Sequence, residues 1–588
     1  MLGAMAARGS QTSVNVTNFG AKGDLLTLST IKVTSNSTAI VCPGARFVAA
    51  DTNKLIEVFG GGTWRGVSNE TLITYISAVS SPSNITVLTP AGATGNGLTG
   101  FYGTDDLPAF SNAVMACSTP TATITIPAGN YLIVPRELIN GYNGSYSPAA
   151  LLLRRGGITF AGQGSVTLTG SGGWRNFGGN CERGATFGIQ APVTNDYPLV
   201  FTNLTLDGGV AVGNIRDLSW PTSGSTGIGW DGTHHWLVTM SGTSPMLSSI
   251  VMQNCVIQHW RGEMMEETTG APNIYLTATN CVFQDGDGSC INNFAHAVSS
   301  CVFSNANQAE EFYRSYSTNT SFMSNCVLSY LGSAIALNGG YYWSPTYTII
   351  NNAFTNFYGS GYALMTTPAC NVTFVSNNVY TAQGVALGVA GYQGGTINSN
   401  IVAAWNTFNG AQYPLQILGN GANLSASVYF FSNRVQNAWG LATGYGWATN
   451  VFVFSNSGSN CGSFYEPQFQ GQYVLDANNQ YTPTALGDTT TLTNIFTYAQ
   501  GSKGQMRNGI ATAKFALDDT QPAKIPSGAT MVISNASNQA YSLYSKASLT
   551  GTPLTITSGQ AVTFLWTNGT WQLANLPPPT GLHIVSGL

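Results

Sequence analysis

Short apolar runs cut by Asn, Ser and Gly fill most of the chain, and from about residue 250 they recur at a steady interval. The recurring unit is usually Asn or Ser, then Cys or Asn, then two mostly β-prone residues. It reads Asn254-Cys255-Val256-Ile257, Asn280-Cys281-Val282-Phe283, Ser300-Cys301-Val302-Phe303 and Asn325-Cys326-Val327-Leu328. It continues as Asn351-Asn352-Ala353-Phe354, Asn377-Asn378-Val379-Tyr380, Trp405-Asn406-Thr407-Phe408 and Ser432-Asn433-Arg434-Val435. With the second residue as marker, the steps are 26, 20, 25, 26, 26, 28 and 27 residues. Such a period predicts a β-solenoid of three short strands per coil, with coils stacked about 4.8 Å apart. Markers then form a ladder, in which Asn can bond to its equivalents above and below while tolerating a left-handed turn. The first four rungs are Cys255, Cys281, Cys301 and Cys326. Buried free thiols packing as small hydrophobes are expected there, against disulfides pairing neighbouring rungs two by two.

Elsewhere the pattern changes. Thr104-Asp105-Asp106 predicts a helix start with Thr104 as N-cap, and the Leu107, Phe110, Val114 spacing is helical. That helix would plug one end of the solenoid, where bare strand edges and core need cover. After about residue 470 the rhythm fails, and β-prone runs such as Thr530-Met531-Val532-Ile533 and Ala561-Val562-Thr563-Phe564-Leu565-Trp566 predict a separate compact β segment. Composition sharpens the class. Of 588 residues only 7% are charged and 69 are Gly, while 43% are hydrophobic, so a large core is available and disorder is excluded. A net charge of −4 leaves no basic footprint for nucleic acid. No long uncharged stretch escapes interruption by Asn, Ser and Gly, so no membrane-spanning helix is expected. Met1–Ser10 shows no leader, pointing to a removed signal or a virion-borne protein. The expected location is extracellular or virion-associated.

A family resemblance rests on particular residues. Val14-Asn15-Val16-Thr17-Asn18-Phe19-Gly20-Ala21-Lys22-Gly23-Asp24 resembles the opening of pectate-lyase-like β-helix proteins, the superfamily of polygalacturonases and phage tailspikes. Thr104-Asp105-Asp106-Leu107-Pro108-Ala109-Phe110 matches the family's next element but arrives about 80 residues late, and Ile126-Pro127-Ala128-Gly129-Asn130-Tyr131 matches its first strand and turn. The resemblance implies an all-β chain built on a right-handed single-stranded parallel β-helix. The expected layout is a lead-in (1–24), an inserted small β domain (25–102), the capped β-helix (103–475), a linker (476–520) and a β-sandwich-like C-terminal domain (521–588). Relatives are commonly trimers, so a homotrimer is a possible assembly.

Charge placement narrows the chemistry. Residues 315–433 contain no Asp, Glu, Lys, Arg or His, whereas residues 258–314 hold nine Asp, Glu, Lys or Arg together with His259 and His296. Acid–base work therefore belongs on the earlier coils. Counted from the markers, Glu263, Glu266 and Glu267 lie at +8, +11 and +12, Asp285 and Asp287 at +4 and +6, and Glu310 and Glu311 at +9 and +10. Alternation predicts +9 and +11 inward, which puts Glu263, Glu267 and Glu311 outward. Carboxylates one coil apart would sit about 5 Å from each other, and two coils apart about 9–10 Å, the retaining and inverting spacings of glycosidases. The expected catalytic set is Glu267, Asp287 and Glu311, with Asp285, Glu266 and Glu310 as alternates; a solvated acidic edge or a calcium site is the competing reading.

His259, Arg314, Tyr313 and His296 would orient the sugar. An excursion before Cys255 carries Asp231, His234, His235 and Trp236, suited to a substrate wall, as are Tyr342 and Trp343 further along. Family motifs do not settle the reaction: Asp285-Gly286-Asp287-Gly288 matches the paired-Asp element of polygalacturonases only loosely, and their other motifs are absent. The leading expectation is a polysaccharide-cleaving glycoside hydrolase needing no cofactor. A polysaccharide lyase, with calcium, and a non-catalytic glycan-binding spike are the alternatives.

Overall fold

The computed structural model forms two compact units, Met1–Ala336 and Leu337–Leu588. In the first it describes residues 12–64, 67–135, 137–140, 146–172, 183–190, 196–209, 233–240, 249–260, 262–267, 274–286, 288–292, 294–312 and 320–336. In the second it describes 337, 346–357, 362–366, 371–380, 385–390, 399–411, 413–418, 424–438, 440–461, 463–465, 469–477, 480–483, 493–496, 503–506, 514–517, 530–535, 540–545, 553–567 and 570–574.

Parallel coils make up most of the first unit. One complete coil is Tyr275–Thr279, Val282–Gly286 and Ser289–Asn292. Tyr275–Thr279 pairs in parallel with Ser249–Gln253 below and Ala295–Ser299 above. Val282–Gly286 lies between Val256–Trp260 and Val302–Phe312, and Ser289–Asn292 between Met265–Glu267 and the same long strand. The chain is thus a parallel β-helix here, and inward Ile, Val, Leu and Phe stack between coils, as Phe283 does on Phe303 at 4.9 Å.

Two corners of each coil are left-handed. One precedes the marker, at Asn203, Asn254, Asn280, Ser300 and Asn325; the other lies four residues after it, at His259, Asp285, Asn305 and Tyr330. Asn, Asp and His tolerate positive φ better than other non-glycine residues, which explains the polar bias of both columns. The expected single column thus divides its tasks: the residue before the marker makes the turn, and the marker itself is buried. Cys255, Cys281, Cys301 and Cys326 are all buried thiols, not disulfides. Cys281 and Cys301 donate their backbone N–H to the sulfur of the next rung, at 3.3 and 3.4 Å.

Leu204 and Cys255, 51 residues apart in the chain, are adjacent rungs. The strands flanking Leu204 pair directly with those flanking Cys255. Between those flanking strands the described residues form the strand Thr233–Met240, lying between Arg183–Gln190 and Met265–Glu267.

A closed antiparallel barrel of Leu26–Val33, Ala39–Val41, Asn84–Val87, Val67–Ser81, Leu55–Trp64 and Gly95–Gly103 occupies the insert. The helix Leu107–Ala116 follows, and buried Phe110 meets Tyr131 of the first coil edge-on at 5.7 Å. Its N-cap is Asp106, not Thr104. Thr104 instead bonds Asp24 at 2.9 Å, while the Asp106 carboxylate accepts the N–H of Lys22 at 2.6 Å and of Gly23 at 3.3 Å. Burial dominates the balance on Asp106 and lifts its pKa to about 6.

The second unit repeats the coil with Asn on the rungs. Thr346–Ile350, Asn371–Val375, Ser399–Ala404 and Leu424–Phe431 stack in parallel, and parallel pairing continues to Pro483. Asn352, Asn377, Asn406, Asn433 and Asn456 form a buried amide ladder. Asn377 is the rung, not the exposed Asn378, because Ser376 takes the left-handed corner. Two four-stranded sheets follow, one starting at Thr493–Phe496 and the other at Lys503–Met506. Both begin inside the segment expected to be a linker, since four-residue strands among Gly, Thr and Asn give too little alternation to stand out.

Asn406 illustrates the ladder's value. Its Oδ1 accepts from the Asn377 N–H at 2.8 Å and side-chain amide at 3.2 Å, while its Nδ2 donates to Asn433 Oδ1 at 3.0 Å and Phe374 O at 2.9 Å. Asn406→Ala orphans those buried partners and should destabilise the protein by about 3 kcal/mol or more. The check is the urea unfolding midpoint, with exposed Asn378→Ala as a control that leaves it unmoved.

Candidate active site

Pairing places the acids by row. Glu266 is the partner of Asn292, and Asn292 is the partner of Glu311, so these three residues occupy one row on three successive coils. The neighbouring row is Met265, Ile291 and Glu310, buried in the coil interior. Strand alternation therefore turns the row of Glu266, Asn292 and Glu311 to the outer face. With strands about 4.8 Å apart, the two glutamate backbones are separated by about 9–10 Å. None of the three is widely open: Glu266 and Asn292 are 4% exposed and Glu311 is 7%.

This arrangement corrects the expected set. Glu266, expected to face inward, shares Glu311's row, and Glu267 lies one row further on, paired with Thr239. Glu263, expected outward, is 1% exposed. The reason is corner length: Gln308 follows the left-handed Asn305 by three residues, whereas its partner Ser289 follows the left-handed Asp285 by four, so Glu311 at +10 shares a row with Asn292 and Glu266 at +11. Asp287, Tyr313, Arg314, Asp231, Tyr342 and Trp343 lie outside the described residues. His234, His235 and Trp236 fall within the strand Thr233–Met240, where His234 pairs with Gly184 and His235 with Ala185.

Polar contacts surround the row. The Ser289 hydroxyl sits 2.8 Å from Glu311 Oε2 and 2.9 Å from Gln308 Oε1. Asn292 Oδ1 is buried without a hydrogen-bond partner among the described residues, an acceptor set between two carboxylates. The Asp-Gly-Asp-Gly run has a steric origin at its second glycine: a Cβ on Gly288 would come within 2.3 Å of the Gly262 carbonyl carbon on the coil below.

Glu310 and His296 leave the candidate set. Both are fully buried, His296 Nε2 lies 3.0 Å from Glu310 Oε1, and His296 Nδ1 lies 2.8 Å from Phe294 O. Burial opposes a proton on His296, but Glu310 outweighs it and the imidazole pKa rises. The pair is a core ion pair, out of reach of substrate.

A second polar chain runs along the left-handed corner after the marker. His259 Nδ1 is 2.8 Å from Asp207 Oδ2, and His259 Nε2 is 4.0 Å from Asp285 Oδ2. Gln258 Nε2 donates to Asp207 Oδ2 at 2.9 Å, and Asn305 donates to Asp285 Oδ1. Coils approach closely here, for a Cβ on Gly208 would lie 2.2 Å from the His259 carbonyl oxygen. Asp207 went unnoticed in the sequence, although it stands three residues past Leu204 as His259 stands four past Cys255. Among the described residues no group of three His, Cys, Asp or Glu is arranged to hold a metal ion, and no helix is long and apolar enough to cross a membrane.

No protein-family model matches the chain, and no curated protein matches its sequence. Among solved structures it is similar to the catalytic unit of a GH87 α-1,3-glucanase from Streptomyces thermodiastaticus, at 11% identity and TM-score 0.39, covering 79% of this chain and 97% of that one. It is also similar to the A-module of the Azotobacter vinelandii mannuronan C-5 epimerase AlgE6, at 12% identity and TM-score 0.31, covering 65% and 93%. A tailspike protein mutant of E. coli bacteriophage HK620, in complex with a pentasaccharide, gives 13% identity and TM-score 0.41, covering 75% and 74%. At these values the likenesses assign no reaction to this chain.

The His259 contacts set a pH dependence. Burial disfavours its charge, but the Asp207 hydrogen bond and the carboxylates of Asp207 and Asp285 more than compensate, so its pKa is raised. A raised histidine contributes stability in full below its unfolded pKa of about 6.5 and loses it as pH rises through the folded value. Asp207→Asn should therefore lower the His259 pKa in an NMR titration, and should lower the melting temperature more at pH 5.5 than at pH 9.

Proposed function

We propose that this protein is a carbohydrate-active enzyme that hydrolyses a polysaccharide, with Glu266 and Glu311 as its two working carboxyl groups. The observation that carries the reading is their shared outer row, two coils apart with Asn292 between them. A separation of that order leaves room for a water between carboxylate and sugar, the arrangement of inverting glycosidases. Glu311, whose carboxylate takes the Ser289 hydroxyl as donor, is the base: a hydrogen bond to the charged form favours it. It removes a proton from the water attacking the anomeric carbon. Glu266 gives its proton to the departing glycosidic oxygen as the C–O bond breaks, leaving two free sugar ends. Asn292 Oδ1 accepts a hydroxyl of the sugar bound between them. No cofactor enters these steps, and a polymeric substrate implies an extracellular or virion-borne setting.

Glu266→Gln and Glu311→Gln test this directly. Each should lower the release of reducing ends from a cleaved polysaccharide by roughly 10²–10⁴-fold while leaving its binding intact. Fresh products observed by NMR should show the inverted anomer. Wild-type turnover in either variant would overturn the assignment, and unsaturated products absorbing in the ultraviolet would replace hydrolysis with elimination. No turnover on any member of a broad glycan panel, with binding retained, would replace the enzyme with a binding spike.

A further inference from the structure

The left-handed corner before the marker is filled by Asn or Ser on nine described rungs of the two units, and by Trp405 on one. In the second unit its neighbours at this corner are Ser376 on the coil below and Ser432 and Ser455 on the coils above. Positive φ is a poor conformation for a bulky side chain, and Trp405 holds φ at 56°. Burial offers no compensation, since the residue is 61% exposed. A costly backbone state under an exposed aromatic ring is the kind of outlier that marks function.

The indole does not stand alone. It meets the Phe431 ring edge-on at 5.4 Å, and Phe431 stacks on Phe454 of the next coil at 4.8 Å and 2°. Beside that row Tyr429 stacks on Phe452 at 4.8 Å. Five aromatic rings therefore lie on the outer face of successive coils, beside the hydroxyls of Ser432 and Ser455. The nearby sequence excludes most occupants by charge. A nucleic acid or an anionic membrane surface needs a cluster of Lys or Arg, and the sequence 405–455 that carries the five rings holds a single one, Arg434. An uncharged chain presenting flat C–H faces and hydroxyls meets both halves of this surface, the rings and the serines.

We infer that Trp405, Phe431 and Phe454 form a neutral-polysaccharide binding platform on the second unit, sharing no residue with the candidate active site and independent of whether that site is catalytic. Affinity electrophoresis of the full chain through gels containing a soluble α-glucan, β-glucan or galactomannan tests it, with polygalacturonate as the charged comparison. At least one neutral polymer should retard the wild type, and Trp405→Asn should weaken that retardation about tenfold or more. Asn is the favoured residue at this corner, so Trp405→Asn should keep or raise the melting temperature, which separates loss of a ligand contact from loss of fold. Tyr380→Ala, removing an exposed tyrosine outside the ring array, should bind as the wild type does. The proposal fails if no neutral polymer retards the wild type, if Trp405→Asn binds unchanged, or if it alters the sedimentation coefficient instead, which would make the face a contact between copies of the chain.

Discussion

Everything in the coiled part of this protein depends on register between successive turns, and register is held from the inside. A parallel strand pair can slip by one residue at little cost to its backbone bonds, but a slip exchanges every inward side chain for an outward one. The buried rungs oppose that slip. In the second unit the amides of Asn377, Asn406 and Asn433 are each bonded to the next rung and to a backbone carbonyl, so displacement would orphan several polar groups at once. In the first unit thiols take the same position, with sulfur accepting the N–H that an amide oxygen accepts elsewhere. The two left-handed corners complement this by fixing where each strand starts.

Once register is set, chemistry follows from a handful of acids. Glu266 and Glu311 are 45 positions apart in the chain, yet stacking brings them into one row. Glu310, next to Glu311, has the opposite fate: it enters the core and is neutralised by His296. One residue of phase separates a group that could meet substrate from a group that cannot. The corner chain of Asp207, His259 and Asp285 arises in the same way, from three coils superposing one polar corner.

The solenoid, its Cys-to-Asn rungs, the N-terminal helix and the charge-free stretch were all legible in the sequence, because each rests on residues that repeat locally or on plain composition. Rung identity was less legible where neighbours are chemically alike, as with Asn377 and Asn378, since only the backbone turn at Ser376 chooses between them. The helix cap was misread for a similar reason: Thr104 and Asp106 both suit an N-terminus, and long-range bonds to Asp24 and to the backbone of Lys22 divided their roles.

Sequence by itself therefore determined the repeat, the class of fold and the region where ionisable chemistry is concentrated, because periodicity and charge scarcity are properties of the chain. Tertiary structure alone decided which glutamates share a row, which one is buried and which aromatic rings stack. Those outcomes depend on corner lengths that differ from coil to coil, and a corner one residue shorter moves a side chain from one face to the other without altering the repeat that encodes it.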